Sequence, residues 1–239
     1  MGKSDTVLRK YYESKIFELG IKNIKDFKNV AFVGFVNDNN YLFNVIKKIC
    51  NSNCKFDYFD IQLYNFDIND KSSKNLFYFG EKKYDLIVCS RVAYFSNDLK
   101  YFVDSCYDRL NNGGVFIVDF GLGDHWRFDN YKVGWFLNRD RDLYTHAHEH
   151  SVYNNKKQHL WSVVWNNHFC ENRVVNDFFE CVKDVNDYYF NKSINDVVLN
   201  ETNCLDYSYI KNKFAFCFLD FLMLWPESPQ LYIFLFLVK

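Results

Sequence analysis

The stretch "NVAFVGFVNDNNYLFNVIKKI", residues 29–49, decides the fold. Its opening, "VAFVGFV", is a nearly continuous apolar run of strand length, which is typical of a parallel strand buried on both faces. A helix is predicted over 40–50, with Asp38 or Asn39 as its N-cap. The turn between such a strand and helix usually carries several glycines in α/β folds, whereas this one holds only Gly34. The remaining turn is built from asparagine and aspartate.

The rest of the chain continues this alternation of strand and helix. A helix is predicted over 6–19, and "KFDYFDI" and "LYNFDI" are read as two short strands with little chain between them. "KYDLIVCSRVAYF" contains the next strong strand, and a helix over 97–110 ends at "LNNGG" before the strand "GVFIVDF". This order predicts right-handed crossovers, a mostly parallel sheet, and helices on both of its faces.

The second half of the chain departs from the alternation and then returns to it. Residues 124–203 form a predicted insertion, in which "LWSVVW" and "RVVNDFFECVKDV" have the period-two pattern of a hairpin. A helix over 206–213 follows, then strands in "FAFCFLDF" and "QLYIFLFLVK". Residues 1–239 are therefore predicted to form one α/β domain, with a Rossmann-like sheet of seven strands and a small inserted region.

Composition removes several classes of function. The formal net charge is -1, so no basic surface for nucleic acid or an anionic membrane is predicted. The longest apolar segments are interrupted and too short to span a bilayer, and the first residues lack the apolar core of a secretory signal. The eight cysteines include no C-x-x-C pair and suit reduced, buried thiols. We expect a cytoplasmic protein.

Three separated features resemble the class I S-adenosylmethionine-dependent methyltransferases. They are "YDLIVCSRVAYF", "RLNNGGVFIVDF" and the apolar terminal segment "LYIFLFLVK", which occur in the order and near the spacing found in that family. The resemblance covers most of the chain and is weakest over 124–203. It implies a last strand antiparallel to the rest, S-adenosylmethionine as cofactor and S-adenosylhomocysteine as product.

The cofactor loop departs from the family pattern. The family carries an acidic residue two positions before its first glycine and further glycines at steps of two, and these positions hold Phe32, Gly34, Val36 and Asp38 here. Asparagine and aspartate tolerate the left-handed backbone region better than valine does, so the turn can still be tight. Either the loop binds its ligand without the glycines or it has lost that function.

The resemblance also implies the residues that contact the cofactor. A carboxylate at the end of the second strand holds the ribose hydroxyls, and Asp60 stands there, with Asp57 as the alternative register. Asp67 resembles the acidic position that contacts the adenine amino group. Because ligands of parallel sheets lie beyond the carboxyl ends of the strands, the residues after the fourth strand also belong to this edge. The predicted cofactor-binding residues are Gly34, Phe35, Asn37, Asp60, Asp67, Ser90 and Arg91.

The segment "GLGDHWRFDNYKVGW", residues 121–135, is the candidate active face, and Asp119 lies at the same edge. A base is needed only if the methyl acceptor must lose a proton, and His125 is the first choice for it, followed by Asp124 and Tyr94. The predicted substrate-binding residues are Trp126, Arg127, Tyr131 and Trp135. The alternative is structural: the tryptophans cover the edge of the sheet and Asp124 caps a helix.

The histidine cluster "THAHEH" raises a metal hypothesis: His146, His148 and His150 would share one face of a strand, or His146 and His150 one face of a helix, and Glu149 adds a carboxylate. A polar surface within the inserted region is the favoured interpretation, and no metal site is predicted.

Two functions remain in competition. The first is a cytoplasmic methyltransferase acting on a small-molecule acceptor. The second is a catalytically silent methyltransferase-like domain that binds or regulates a protein partner or a second copy of the chain. A Rossmann-like protein that uses another nucleotide ranks third, because the glycines are missing.

Overall fold

The computed structural model describes part of the chain. The described residues are 10–11, 14–15, 18–19, 26–34, 41–60, 66–90, 92–93, 96, 98–122, 207–224 and 230–239. The predicted insertion over 124–203, with its hairpin and its histidine cluster, lies outside them. The single-domain organisation stays a prediction.

Six strands form one sheet in the order β2-β1-β3-β4-β6-β5. The strands are β1 (Asn29–Val33), β2 (Lys55–Phe59), β3 (Tyr84–Cys89), β4 (Leu110–Leu122), β5 (Phe216–Leu224) and β6 (Gln230–Val238). The helices are α1 (Tyr41–Ile49), α2 (Leu76–Phe79), α3 (Leu99–Arg109) and α4 (Tyr207–Lys213). Strands β1 to β4 pair in parallel, whereas β6 is antiparallel to both β4 and β5. The mostly parallel α/β sheet and the antiparallel last strand are confirmed.

The structure refines several predicted boundaries. The first strand ends at Val33 rather than continuing through residue 36, because Gly34 has a φ of 84° and turns the chain out of the sheet. Strand β4, predicted from "GVFIVDF", begins earlier than expected, at Leu110, which pairs with Tyr84 before the register shifts. The last residues of the predicted strand "LYNFDI", 66–68, lie in a turn. A seventh strand and a helical layer on each face stay predictions.

Aromatic side chains fill the space between the sheet and helix α1. Phe32 of β1 lies between Phe43 of α1 and Tyr58 of β2, with ring centroids 5.2 and 6.2 Å away. Both Phe32 and Phe43 are buried, and burial of one such side chain contributes roughly 1.5–3 kcal/mol. This packing fixes α1 against the face formed by alternate residues of β1, β3, β4 and β6.

The carboxylate of Asp85 ties three strands together at the amino end of the sheet. Its Oδ2 accepts from the backbone N–H of Lys28 and Asn29 at 2.7 and 3.0 Å, and its Oδ1 accepts from the Asn111 side chain at 2.7 Å. Lys28 and Asn29 lie at the start of β1, and Asn111 lies at the start of β4. Asp85 of β3 therefore helps to set the alignment of β1 and β4 relative to β3. The same alignment determines which residues lie side by side at the carboxyl ends of these strands.

The N-terminal segment packs against the same face of the sheet as α1, beside β5 and β6. The described residues at 10–11, 14–15 and 18 are helical, as predicted for 6–19. The Tyr11 hydroxyl donates to Asp220 of β5 at 2.5 Å, and the Lys15 ammonium lies 3.4 Å from the same carboxylate. These contacts explain why β5, an otherwise apolar strand, contains the charged residue Asp220. No helix in the described part of the chain is long and apolar enough to cross a membrane.

Candidate functional site

Four residues lie level with one another where β1, β2 and β3 end, and the one in β4 lies three residues before that strand ends at Leu122. Residues Phe59, Val33, Cys89 and Val118 are paired across β2, β1, β3 and β4. The next residue along each strand is therefore Asp60, Gly34, Ser90 and Asp119 in turn. Because side chains alternate along a strand, these four positions continue the face of the sheet that packs on α1. We call this group the strand-end row.

Direct contacts join the members of the strand-end row. The Gly34 backbone N–H donates to the Phe59 carbonyl at 2.7 Å, which ties β1 to the residue before Asp60. A Cβ placed on Gly34 would lie 3.2 Å from the Ser90 carbonyl oxygen. The Ser90 hydroxyl donates to Asp119 Oδ2 at 3.1 Å. The row is therefore continuous over four strands, as the sequence predicts for parallel strand ends.

Gly34 is required by the protein's own packing. Its φ of 84° lies in the left-handed region, and a Cβ there would lie 2.0 Å from Val92 Cγ2. The backbone N–H groups of Val92 and Ala93 approach the buried Cys89 sulfur, so the chain after β3 folds back over the strand end. Burial raises the pKa of this Cys89 thiol. The space left by the missing Cβ is thus occupied by Val92.

Two buried carboxylates dominate the charge of the strand-end row. Asp60 is 7% exposed and Asp119 is 0% exposed. Buried carboxylates require hydrogen-bond donors or cations around them, and they disfavour a second anion nearby. The Ser90 oxygen and the strand-end carbonyls add further acceptors. The row is therefore complementary to a ligand that presents hydroxyl or ammonium groups.

Asp57 and Asp60 occupy different positions relative to β2. Asp57 lies inside β2, and its Oδ2 accepts from the Tyr84 hydroxyl at 2.8 Å and from the Lys82 ammonium at 2.6 Å. Burial, and then this bond to Asp57, raises the pKa of Tyr84. Asp60 directly follows the strand, as the prediction for a strand-end carboxylate requires.

Asp67 belongs to a turn that lies beside Asp60. The Phe66 N–H donates to the Asp60 carbonyl at 3.1 Å, which places the turn next to the strand-end row. Within it, Asp67 Oδ1 accepts from the Asn69 N–H at 2.8 Å, and its carbonyl accepts from the Asn75 side chain at 3.0 Å. Asp67 therefore stabilises the turn, and its contact with an adenine stays a prediction.

Several predicted site residues lie outside the described residues, so their roles stay predictions. They are Phe35, Asn37, Arg91, Tyr94, Asp124, His125, Trp126, Arg127, Tyr131 and Trp135. Within the described ranges, no group of three or more His, Cys, Asp or Glu side chains is arranged to hold a metal ion.

The structure adds two residues for which the sequence predicts no role. Asp119, predicted only to lie at this edge, binds the Ser90 hydroxyl, and Val92 fills the space beside Gly34. Both contacts join different strands or loops. The aspartate in "GVFIVDF" was the one available signal, because a charged residue inside an apolar strand needs a partner.

The fold defined by these strands is that of a Rossmann-like α/β protein with an antiparallel final strand, as in the class I methyltransferases. No protein-family model matches the chain, and no curated protein matches it.

Among solved structures, the chain is similar to the CurJ carbon methyltransferase, with 12% identity, coverage of 98% of this chain and 54% of that one, and a TM-score of 0.42. It is similar to the N-methyltransferase NodS from Bradyrhizobium japonicum WM9, with 10% identity, 96% coverage of each chain and a TM-score of 0.37. It is also similar to an O-methyltransferase family protein from Burkholderia thailandensis, with 9% identity and a TM-score of 0.36. The match covers 96% of this chain and 60% of that one.

The chain spans about half the length of the first of these structures. Identity and superposition are both low, so the fold assignment rests on the chain's own strand order. The resemblance to the class I methyltransferases that the sequence predicts is confirmed, as a resemblance of fold.

Proposed function

We propose that the chain is an S-adenosylmethionine-dependent methyltransferase that acts on a small-molecule acceptor. The observation that carries the proposal is the strand-end row, in which two buried carboxylates and a serine oxygen offer hydrogen-bond acceptors beyond a parallel sheet. S-adenosylmethionine presents two hydroxyl donors on its ribose, an ammonium group on its amino-acid moiety and a sulfonium cation between the two. The acceptor set of the row fits these donors.

The same charges argue against the third hypothesis, a cofactor held by its phosphates. A phosphate site is normally built from backbone N–H groups at a glycine-rich turn, helped by basic side chains. Asp60 and Asp119 instead place two buried carboxylates in the row. A pyrophosphate beside them would be repelled, whereas an adenosyl sulfonium would be attracted.

The proposed roles follow the positions of the residues. The Asp60 carboxylate, directly after β2, accepts hydrogen bonds from the ribose hydroxyls. When bound, the cofactor supplies an electrophilic methyl group, and the chain's task is to align an acceptor in line with it. His125 stays the predicted base for an acceptor that must lose a proton, and Trp126 and Trp135 stay predicted walls of the acceptor pocket.

Calorimetric titration with S-adenosylmethionine and S-adenosylhomocysteine tests the proposal directly. We expect micromolar binding by the wild-type chain and at least about tenfold weaker binding by Asp60→Ala, since a hydrogen bond to a charged group is lost. Asp108→Ala is the matched control, because Asp108 is an exposed carboxylate on α3. The melting temperature of Asp60→Ala should stay nearly unchanged. Equal affinities in Asp60→Ala and the wild type would remove Asp60 from the site.

The second candidate is a silent methyltransferase-like module that binds a protein partner or a second copy of the chain. Its supporting observation is that Val92 occupies the space beside Gly34, so retention of this glycine is explained without a ligand. Absence of binding by the wild type at millimolar S-adenosylmethionine and S-adenosylhomocysteine would favour this candidate over the enzyme.

If the wild type binds, turnover on an identified acceptor tests the base. His125→Ala should lower turnover more than it weakens cofactor binding, and equal turnover in the two proteins would exclude His125 from that role.

A further inference from the structure

A short turn joins the end of α1 to the start of β2 and has a cysteine on each side. Cys50 directly follows α1, and its N–H donates to the Ile46 carbonyl at 2.9 Å, so it continues the last helical turn. Cys54 directly precedes β2, and its N–H donates to the Asn51 carbonyl at 2.9 Å. The Asn51 side chain also accepts from the Asn53 N–H at 3.2 Å. These hydrogen bonds close the turn and hold its two ends together.

The two thiols at the ends of this turn are in contact with each other. Cys50 and Cys54 share a side-chain hydrogen bond, and the Cys54 sulfur also lies 3.9 Å from the Lys55 carbonyl oxygen. Cys50 is only 8% exposed, whereas Cys54 is partly exposed. A reagent in solution therefore has access to Cys54, and Cys50 lies directly behind it.

The surroundings of the two thiols favour Cys54 as the one that reacts first. Burial, and then the neighbouring Cys54, raises the pKa of Cys50 to about 12. Burial also raises the pKa of Cys54, but the hydrogen bond with Cys50 lowers it. Two charged groups act on the Cys54 pKa as well: the Asp85 carboxylate raises it and the Lys82 ammonium lowers it. Because the thiolate is the nucleophile in disulfide exchange, the more exposed Cys54 is the attacking group.

We propose that Cys50 and Cys54 are a redox pair that exchanges with low-molecular-weight disulfides and forms a reversible intramolecular disulfide. The Cys54 thiolate attacks one sulfur of the small disulfide, which forms a mixed disulfide at Cys54 and releases one thiolate. The Cys50 thiolate then attacks the Cys54 sulfur, which forms the Cys50–Cys54 bond and releases the second thiolate. Two protein thiols are oxidised, one small disulfide is reduced to two thiols, and the two protons of the cysteines pass to the released thiolates.

The redox pair is separate from the proposed cofactor site. Cys54 precedes β2, whereas Asp60 follows the same strand at its opposite end. The exchange therefore does not depend on whether the chain binds S-adenosylmethionine.

Digestion with trypsin places both cysteines in one peptide. Cleavage after Lys48 and Lys55 yields residues 49–55, "ICNSNCK", which contains this pair and no other cysteine. The full chain is incubated with glutathione disulfide, quenched with acid, unfolded, alkylated with N-ethylmaleimide and digested for mass spectrometry. We expect the wild-type peptide to lose two hydrogens, to carry no alkyl group and to regain both thiols with dithiothreitol. Conversion should be faster at alkaline than at neutral pH, because the thiolate fraction of Cys54 rises.

Single variants distinguish the attacking thiol from the one that displaces glutathione. Cys50→Ser should accumulate a mixed disulfide with glutathione at Cys54, because no second thiol displaces it. Cys54→Ser should leave Cys50 reduced in the folded chain, because Cys50 is buried. Cys217→Ser is the matched control, since Cys217 is a partly exposed cysteine on β5, and in this variant the pair should oxidise at the wild-type rate.

The wild-type measurement decides the proposal even where a variant does not fold. If both thiols stay free in the folded chain under conditions that oxidise the chain unfolded in urea, the inference is wrong. It is also wrong if the folded wild type stops at the mixed disulfide, because Cys50 then does not reach Cys54. An adduct in Cys54→Ser but not in Cys50→Ser would overturn the assigned order of attack. Failure to bind S-adenosylmethionine would remove the proposed function and leave the redox pair standing.

Discussion

Gly34→Ala is the substitution for which the structure makes the most demanding prediction. Two separate costs act at this position. The backbone has a φ of 84°, which disfavours any residue with a Cβ, and the new Cβ would lie 2.0 Å from Val92 Cγ2 and 3.0 Å from Val92 Cβ. Gly113 provides a matched control, because its φ is 75° and a Cβ there meets nothing within 4 Å. Gly113→Ala therefore carries the backbone cost alone.

The two costs can be estimated separately. A left-handed backbone costs a residue with a Cβ roughly 1–2 kcal/mol, which is the expected effect of Gly113→Ala. Crowding within a packed region adds about 1–3 kcal/mol. Gly34→Ala should therefore lower the free energy of unfolding by about 2–5 kcal/mol. Val92 is the residue that has to move, since its Cγ2 is the nearest atom to the new Cβ.

Urea unfolding followed by circular dichroism measures these free energies. The series consists of the wild type, Gly34→Ala, Gly113→Ala, Val92→Ala and the double variant Gly34→Ala/Val92→Ala. Removing Cγ2 should recover much of the crowding cost, so the cycle should show a coupling of about 1–3 kcal/mol. Two results would refute the reasoning: Gly34→Ala no more destabilising than Gly113→Ala, or the same cost of Gly34→Ala with and without Val92→Ala.

Three further predictions concern other parts of the sheet. Asp85→Ala should destabilise the chain by about 2–3 kcal/mol in the same assay, because three donors on β1 and β4 lose one carboxylate; a loss below about 0.5 kcal/mol would contradict it. The hydrogen bond from Lys71 holds the pKa of Asp98 below its ordinary 3.8, so the stability it contributes is present above that pH and is lost as the pH falls toward the folded value. Asp98→Asn keeps the helix cap but removes the charge, so the difference in stability between it and the wild type should shrink below pH 3.8. A difference that is constant with pH would show that the Lys71–Asp98 ion pair does not stabilise the fold. Burial raises the pKa of Cys89 at the end of β3 and of Cys106 in α3, so iodoacetamide should modify them only on unfolding; labelling of either thiol in the folded chain, read by mass spectrometry, would contradict this.

The sequence predicts those parts of the fold that depend on local pattern. The apolar runs identify β1, β3 and β4, and the helix predicted over 97–110 is found at Leu99–Arg109, where Asp98 accepts from the Tyr101 N–H. The positions of Asp60 and Ser90 are predictable because each directly follows a strand, and parallel strands end at a common edge. The early end of β1 is not predictable from hydrophobicity, since "VAFVGFV" continues unbroken past Gly34.

Contacts between strands are the part of the site that the sequence does not show. The Ser90–Asp119 bond depends on the register of β3 against β4, in which Cys89 pairs with Val118. A shift of one residue would turn Asp119 to the other face of the sheet. The Val92 contact similarly depends on how the chain folds back over Cys89, and pairing of distant segments carries no local signal.

The reduced glycine content of the first turn is weaker evidence against activity than it appears from the sequence alone. Gly34 is retained because Val92 and the left-handed backbone require it, so a glycine at this position says little about ligand binding either way. The proposed ligand site depends instead on the carboxylates and the serine of the strand-end row. Both buried carboxylates of the row have interaction partners within the chain, so their burial alone does not separate the enzyme from a silent domain. The Ser90 hydroxyl donates one of these hydrogen bonds to Asp119. Cofactor titration is therefore decisive where further inspection of the glycines is not.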